Sequence, residues 1–177
     1  MLTRWFRHEP VALILTRQAL PTLDRNKYAS AEGVARGAYV LADAQNGKPD
    51  VLLLATGSEV SLCLAARDQL QAANIQARVV SMPSWEVFEH YCRKHPQYRE
   101  EVLPARVKPR VSVEQASEFG WERYVGSTGR RIGMNTFGAS APLKELQTKF
   151  GFTPERIVEA AKEQVRLNGR EGSSVCG

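Results

Sequence analysis

The sequence predicts a three-layer α/β/α domain, built on a five-stranded mixed sheet that is mostly parallel with one antiparallel edge strand. Three observations lead there. Residues 51–55 are an unbroken apolar run, Val-Leu-Leu-Leu-Ala, short and closed by Thr56-Gly57. A strand that is apolar on both faces lies inside a sheet covered by helices on each side. From Val60 to Leu70 most positions are apolar or small, as in a helix buried over a wide face. Further strand, turn and helix segments follow in the order of a doubly wound unit.

Residues 11–16, Val-Ala-Leu-Ile-Leu-Thr, read as a buried strand with the same clarity. Leu20-Pro21 turns the chain, and residues 22–30 are polar without a period, as in a linker. A helix can start at Glu32. Residues 38–42 read as a strand, and Asn46-Gly47 between two apolar runs is a strong hairpin signal. Residues 38–42 are therefore expected to pair antiparallel with 51–55, at a sheet edge. Thr56 followed by Glu59 fits a capping box, with Ser58 as a competing cap.

The helix that follows reaches about Ala73, and residues 77–81 form the next strand. Ser84 caps another helix, with Glu86 in its first turn and Trp85, Phe88 and Cys92 at helical spacing. Pro96 stops it, and residues 98–103 make a further helical turn ended by Pro104. Residues 110–114 are a strand and 132–135 a shorter one. Ser140 is expected to cap a helix that carries Pro142 in its first turn and ends at Phe150-Gly151. Thr153-Pro154-Glu155 opens the last helix, whose apolar face is Ile157, Val158, Ala161 and Val165. From Leu167 the chain is polar and reads as a frayed tail.

A chain of 177 residues, 43% apolar and 24% charged, fits one soluble domain with some length left for arms. No apolar run approaches the roughly 20 residues that cross a bilayer, so no membrane association is expected. Met1 to His8 lack the pattern of a secretory leader. Cys63, Cys92 and Cys176 are odd in number and show no CxxC spacing, which speaks against a disulfide framework and a zinc site and for a reducing cytoplasm. The net charge of +5 is spread in small clusters without interleaved aromatic residues, so nucleic acid is not the expected partner.

Ligands of α/β folds bind at the C-terminal ends of the strands. Three loops qualify: Thr56-Gly57-Ser58, Met82-Pro83-Ser84 and Glu114-Gln115-Ala116-Ser117. Thr56, Gly57 and Ser58 can hold an anion on free N–H groups. The same turn also reads as a tight turn with capping hydroxyls. It has no GxGxxG or GxxxxGK[ST] pattern, and no GxSxG makes Ser58 a nucleophile. His8, His90 and His95 lie outside such loops and read as surface or capping groups. Glu114, Glu118 and Glu122 invite a carboxylate-pair reading, but Glu118 and Glu122, four apart, share a helix face or loop, and the set has no partner residue to act on. Trp85 and Phe88 read as a core stripe. Arg17 directly follows an apolar strand, where its two-pronged guanidinium suits a phosphate.

Six blocks then occur in family order: Leu15-Thr-Arg-Gln-Ala-Leu-Pro21, Gly37-Ala-Tyr-Val-Leu41, Ala55-Thr-Gly-Ser-Glu-Val60, Ser81-Met-Pro-Ser-Trp85, Phe119-Gly-Trp121 and Phe137-Gly-Ala-Ser-Ala-Pro142. Together they resemble the C-terminal part of a transketolase, from about Glu9 to Val165. The resemblance implies three segments. Residues 1–30 are an arm with the last strand of the preceding pyrimidine-binding domain, 31–166 the C-terminal domain, and 167–177 a flexible tail. Residues 1–8 and 167–177 fall outside the resemblance. It also implies that Arg17 contacts the phosphate of a sugar substrate. Complete transketolases of the pentose phosphate pathway move a two-carbon ketol group with thiamine diphosphate and a divalent metal. The Gly-Asp-Gly motif that holds these is absent from this sequence. The implied chain carries no catalytic residue, cofactor or metal of its own. It is a structural, dimer-supporting module, inactive alone, which works as a homodimer or with the missing transketolase domains. The alternatives are a free-standing module that binds a small anion for regulation, and an inert gene fragment.

Overall fold

A computed structural model describes residues 10–169 of the chain. The expectations for Met1 to His8, for Cys176 and for most of the tail fall outside these residues.

Strand β1 is Tyr39–Ala42, β2 Val51–Ala55, β3 Ala77–Ser81, β4 Arg110–Val113 and β5 Arg130–Ile132. They form one sheet in the order β1-β3-β2-β4-β5. The central strand β2 pairs in parallel with β3 on one side and β4 on the other, and β5 continues the parallel set beside β4. Every residue of β2 is fully buried. Its side chains alternate between two cores, as the two-residue period of a strand requires. Val51, Leu53 and Ala55 face helices α1 (Glu59–Ala72) and α6 (Pro154–Gly169), with Cys63, Leu70, Phe152 and Ile157. Leu52 and Leu54 face the other side, where α2 (Trp85–Lys94), α3 (Pro96–Val102) and the short α4 (Glu122–Val125) supply Phe88, Tyr98, Trp121 and Tyr124. Helix α5 spans Leu143–Phe150. The expected three layers and mixed sheet are present.

The antiparallel edge strand is present, but its partner differs from the expected one. β1 pairs with β3, not with β2. The Asn46-Gly47 turn does form, with Gly47 at φ +67° and its N–H donating to the Ala44 carbonyl at 3.0 Å. The connection runs over residues 43–50, however, far longer than a two-residue hairpin loop, and it steps over β3. Charge selects the neighbour. Arg78 in β3 is only 7% exposed and needs a carboxylate. Asp43, just beyond β1, meets it with two parallel bonds of 2.7 and 2.8 Å, and the Glu101 carbonyl accepts a third at 2.7 Å.

The helix starts obey local chemistry unevenly. Ser84 caps α2 by accepting the Val87 N–H at 3.3 Å, and Thr153 accepts the Arg156 N–H at the start of α6. The Thr56–Glu59 capping box does not form. Ser58 precedes α1 with helical backbone angles and no side-chain cap, and its hydroxyl donates to Glu59 instead. Pro142, not Ser140, precedes α5, which Gly151 ends in the left-handed region. β5 comes earlier than residues 132–135, because Ile132 is already in register with Val113 at the end of β4. Helix α6 continues through Gly169, beyond the expected start of the tail.

Residues 10–22 form no strand. Val11, Leu13, Ile14 and Leu15 are exposed, Ile14 by 95%. A run apolar on both faces needs a strand on each side. This sheet offers only edges, and Ala29 already donates to Leu41 along β1. No helix of the described residues is long and apolar enough to cross a membrane.

One arginine ties several loops together. The Arg110 guanidinium donates to the carbonyls of Val107, Tyr124, Leu103 and Pro104 at 2.9, 2.7, 3.3 and 3.0 Å. It thereby satisfies the C-terminal ends of α3 and α4 at the start of β4. Replacing it leaves partly buried acceptors without donors. Arg110→Met is expected to destabilise the fold by about 2 kcal/mol, read as a lower urea midpoint at unchanged slope. An unchanged midpoint would mean that water replaces the guanidinium at no cost.

Candidate functional site

Chain connectivity sets the place. The link from β2 to β3 through α1 lies on one face of the sheet, whereas α4, after β4, packs on the other. The loops leaving the C-terminal ends of β2 and β4 therefore part, which opens a crevice between neighbouring strands. Open α/β sheets bind ligands at such a switch point.

Thr56, Gly57 and Ser58 line the β2 side. Gly57 has φ +57°, and nothing lies within 4 Å of the place where a Cβ would stand. The left-handed turn, rather than crowding, is what asks for glycine there. Glu114 and Gln115 line the β4 side, and Met82-Pro83-Ser84 closes the end of β3. A small cavity of about 190 Å³ is bounded by Thr56, Met82, Pro83, Ser84, Trp85, Glu86 and Glu114.

Two carboxyl groups dominate this crevice electrostatically. Glu59, in the first turn of α1, is only 3% exposed. Burial pushes its pKa up, while the Ser58 hydroxyl and the Gln115 N–H and amide pull it back. Glu114 is raised to about 7, first by burial and then by the charge of Glu59. A carboxyl poised near neutrality in a crevice is a recognised mark of a functional position. What it lacks is a reaction partner. His95 is exposed at the far end of α2, and among the described residues no three His, Cys, Asp or Glu side chains gather as a metal site would need.

The other singled-out residues are structural. Trp85 packs edge-on against Trp121 at 5.0 Å, and Phe88 is fully buried, so both belong to the core stripe. Glu122 accepts the Gly120 N–H at 3.0 Å. Glu118 accepts from Asn135 at 3.1 Å and faces Arg131 at 3.6 Å. Arg17 lies on the exposed arm, and no described contact ties it to the Thr56–Ser58 turn.

Sequence reasoning missed the link between Glu59 and Glu114, since only the β2–β4 pairing brings residues so distant in sequence together. It also missed a second cavity of about 300 Å³ at the β1 edge of the sheet, lined by Ser30, Glu32, Arg36, Tyr39, Tyr98 and Glu101 among others. Arg36 covers the Tyr98 ring there at 5.3 Å, and the Tyr98 hydroxyl donates to Ala38 at 2.9 Å. The spacing of Gly33 and Gly37 was the only available hint. A Cβ on Gly33 would fall 2.3 Å from the Tyr39 ring.

Comparison with known proteins gives one consistent answer. The transketolase-like C-terminal domain family matches residues 37–153. The chain is 48% identical over 158 residues to the transketolase of Aquifex aeolicus, covering 89% of this chain and 22% of that one. With the Geobacillus stearothermophilus transketolase it shares 46% over 154 residues, covering 87% and 23% respectively. A Pichia stipitis transketolase, solved in complex with sedoheptulose 7-phosphate, superposes with a TM-score of 0.74 at 39% identity, over 85% of this chain and 21% of that one. The chain thus spans about a fifth of the length of these relatives.

The carboxyl pair has a consequence for stability. Glu114 holds its proton more tightly in the folded protein than in the unfolded chain, so the folded state gains protons relative to the unfolded one. Its cost to stability is nil well below the ordinary 4.5, grows as pH rises toward 7, and is complete above that. Glu114→Gln removes the cost. The variant is expected to melt several degrees above the parent at pH 8 and together with it at pH 4, as followed by circular dichroism. A constant difference across that range would show that folding leaves the Glu114 carboxyl at its ordinary pKa, raised neither by burial nor by Glu59.

Proposed function

We propose, from the premise that this chain belongs to the transketolase-like C-terminal domain family, that it serves as the C-terminal unit of an enzyme transferring a two-carbon ketol group between sugar phosphates. The family match over residues 37–153 carries this reading. It takes in all five strands and the loops at their C-terminal ends. Three of the blocks that resemble the family, 55–60, 81–85 and 119–121, are those loops.

When bound, thiamine diphosphate supplies the carbanion chemistry of such a transfer. The crevice at the strand ends does not fit that group. A diphosphate needs cationic or N–H donors and a metal, whereas the crevice presents Glu59 and Glu114, and no metal cluster forms among the described residues. The cofactor then sits on other parts of the enzyme, and this unit supports them, within a homodimer or beside separately encoded domains. Residues 31–166 are the unit itself, residues 1–30 its arm and 167–177 its tail. Arg17 is the residue of this chain that reaches toward substrate, as a donor to the sugar phosphate. Its exposure on the arm leaves it free to face a neighbouring domain.

A second reading rests on the Thr56-Gly57-Ser58 turn, whose open space above Gly57 could admit a small anion. Charge limits it. The ionised Glu114 opposes an anion there, so phosphate would bind better at pH 5 than at pH 8.

The test is a hybrid enzyme in which this chain replaces the matching segment of the Aquifex aeolicus transketolase. The hybrid is expected to transfer a ketol group from xylulose 5-phosphate to an aldose, and the chain alone to transfer none. Turnover by the unaided chain would overturn the proposal. In the hybrid, Arg17→Ala should raise KM for phosphorylated substrates by about tenfold or more, the worth of a charge-assisted hydrogen bond, with kcat little changed.

A further inference from the structure

Two phenylalanines stand almost free of the fold. Phe119 is 87% exposed and Phe137 98%. They rise from neighbouring loops, one following β4 and the other following β5. Glu118 braces these loops by accepting from Asn135 at 3.1 Å, and the Met134 N–H donates to the Ala116 carbonyl at 2.8 Å. Glycines let the braces close. A Cβ on Gly133 would fall 2.5 Å from the Glu118 side chain, and one on Gly120 would fall 2.7 Å from the Trp85 ring. The aromatic rings are therefore held out by a fixed support, as an anchor residue is.

The surroundings fit an interface. The run from Ile132 to Leu143 contains no charged residue, in a chain where charged residues make up 24%. Depletion of charge around an aromatic anchor marks the centre of protein contacts; it holds around Phe137, whereas Phe119 sits at the charged rim beside Glu118, which faces Arg131 at 3.6 Å. Residues 138–142 are small and exposed, so nothing shields Phe137 from an approaching surface.

We infer that the loops carrying Phe119 and Phe137 are the seat on which the preceding part of the same enzyme docks. This rests on the reading of the chain as a transketolase unit, and it names the surface that unit uses. The occupant follows from length. The relatives carry nearly four-fifths of their chain outside the matched segment, and the matching family is a C-terminal domain. The arm that leads toward that missing part is itself apolar and exposed at Val11, Leu13 and Ile14.

Hydroxyl-radical footprinting with mass spectrometry tests this on the unaltered chain and on the hybrid enzyme. Both rings should oxidise readily in the chain alone, at a rate independent of its concentration, and at least tenfold more slowly in the hybrid. Phe119→Ser with Phe137→Ser should leave the melting temperature of the chain unchanged and lower that of the hybrid. Equal oxidation in the two proteins overturns the inference. So does protection that appears in the chain alone as its concentration rises, with dimers in sedimentation, since the occupant is then a second copy. A hybrid that transfers ketol groups with both rings still reactive would sink this inference alone. A hybrid without activity whose rings are protected would instead sink the functional reading.

Discussion

The structure depends on one strand being buried on every side. β2 is hydrogen-bonded to parallel neighbours along both edges and covered by helices on both faces, and none of its five residues reaches solvent. A strand in that position has no tolerance for a polar side chain, and a register slip of one residue would exchange its two cores. With β2 fixed, right-handed crossovers dictate where the helices go. Helix α1 must leave on one face and α4 on the other, and the crevice between β2 and β4 is the geometric remainder.

That remainder explains the carboxyl pair. Glu59 opens α1, where a negative charge is favoured by the helix N-terminus. Glu114 follows β4, on the other side of the crevice. Each position is reasonable alone, yet together they place two acids in a poorly hydrated gap. The pair spends stability at neutral pH, and the fold tolerates this because its cores lie elsewhere. Once ionised, the same pair makes the crevice unfavourable for an anionic ligand.

Much of the fold was legible in the sequence because it is decided locally. The apolar run of β2, the Ser84 cap, Pro96 at the start of α3 just after α2 ends, Gly151 and the Thr153-Pro154 start each act within a few residues. The failures share a cause in tertiary contact. Asn46-Gly47 announced a turn and formed one, but the partner of β1 was chosen by Arg78 and Asp43 from different parts of the chain. Glu59 could have closed a capping box, but it was drawn under Ser58 into the crevice. For the site, Thr56-Gly57-Ser58 was legible as a strand-end turn. Glu114 was visible only as a strand-end acid grouped with Glu118 and Glu122, because its coupling to Glu59 exists only once β2 and β4 pair.

The arm at residues 10–22 separates folding from function. Its apolar run has the composition of an interior strand, yet the sheet closes without it and both cores are complete. Its exposed side chains therefore contribute little to the stability of the unit, and selection for folding alone would not keep them apolar. The same holds for Phe119 and Phe137, which touch little of their own domain and sit on loops that the domain braces carefully. A fold that satisfies itself and still displays unpaired apolar side chains on firm supports is organised toward something outside it. Burial against a neighbouring part of the same enzyme would meet the physical need of those side chains, removal from water.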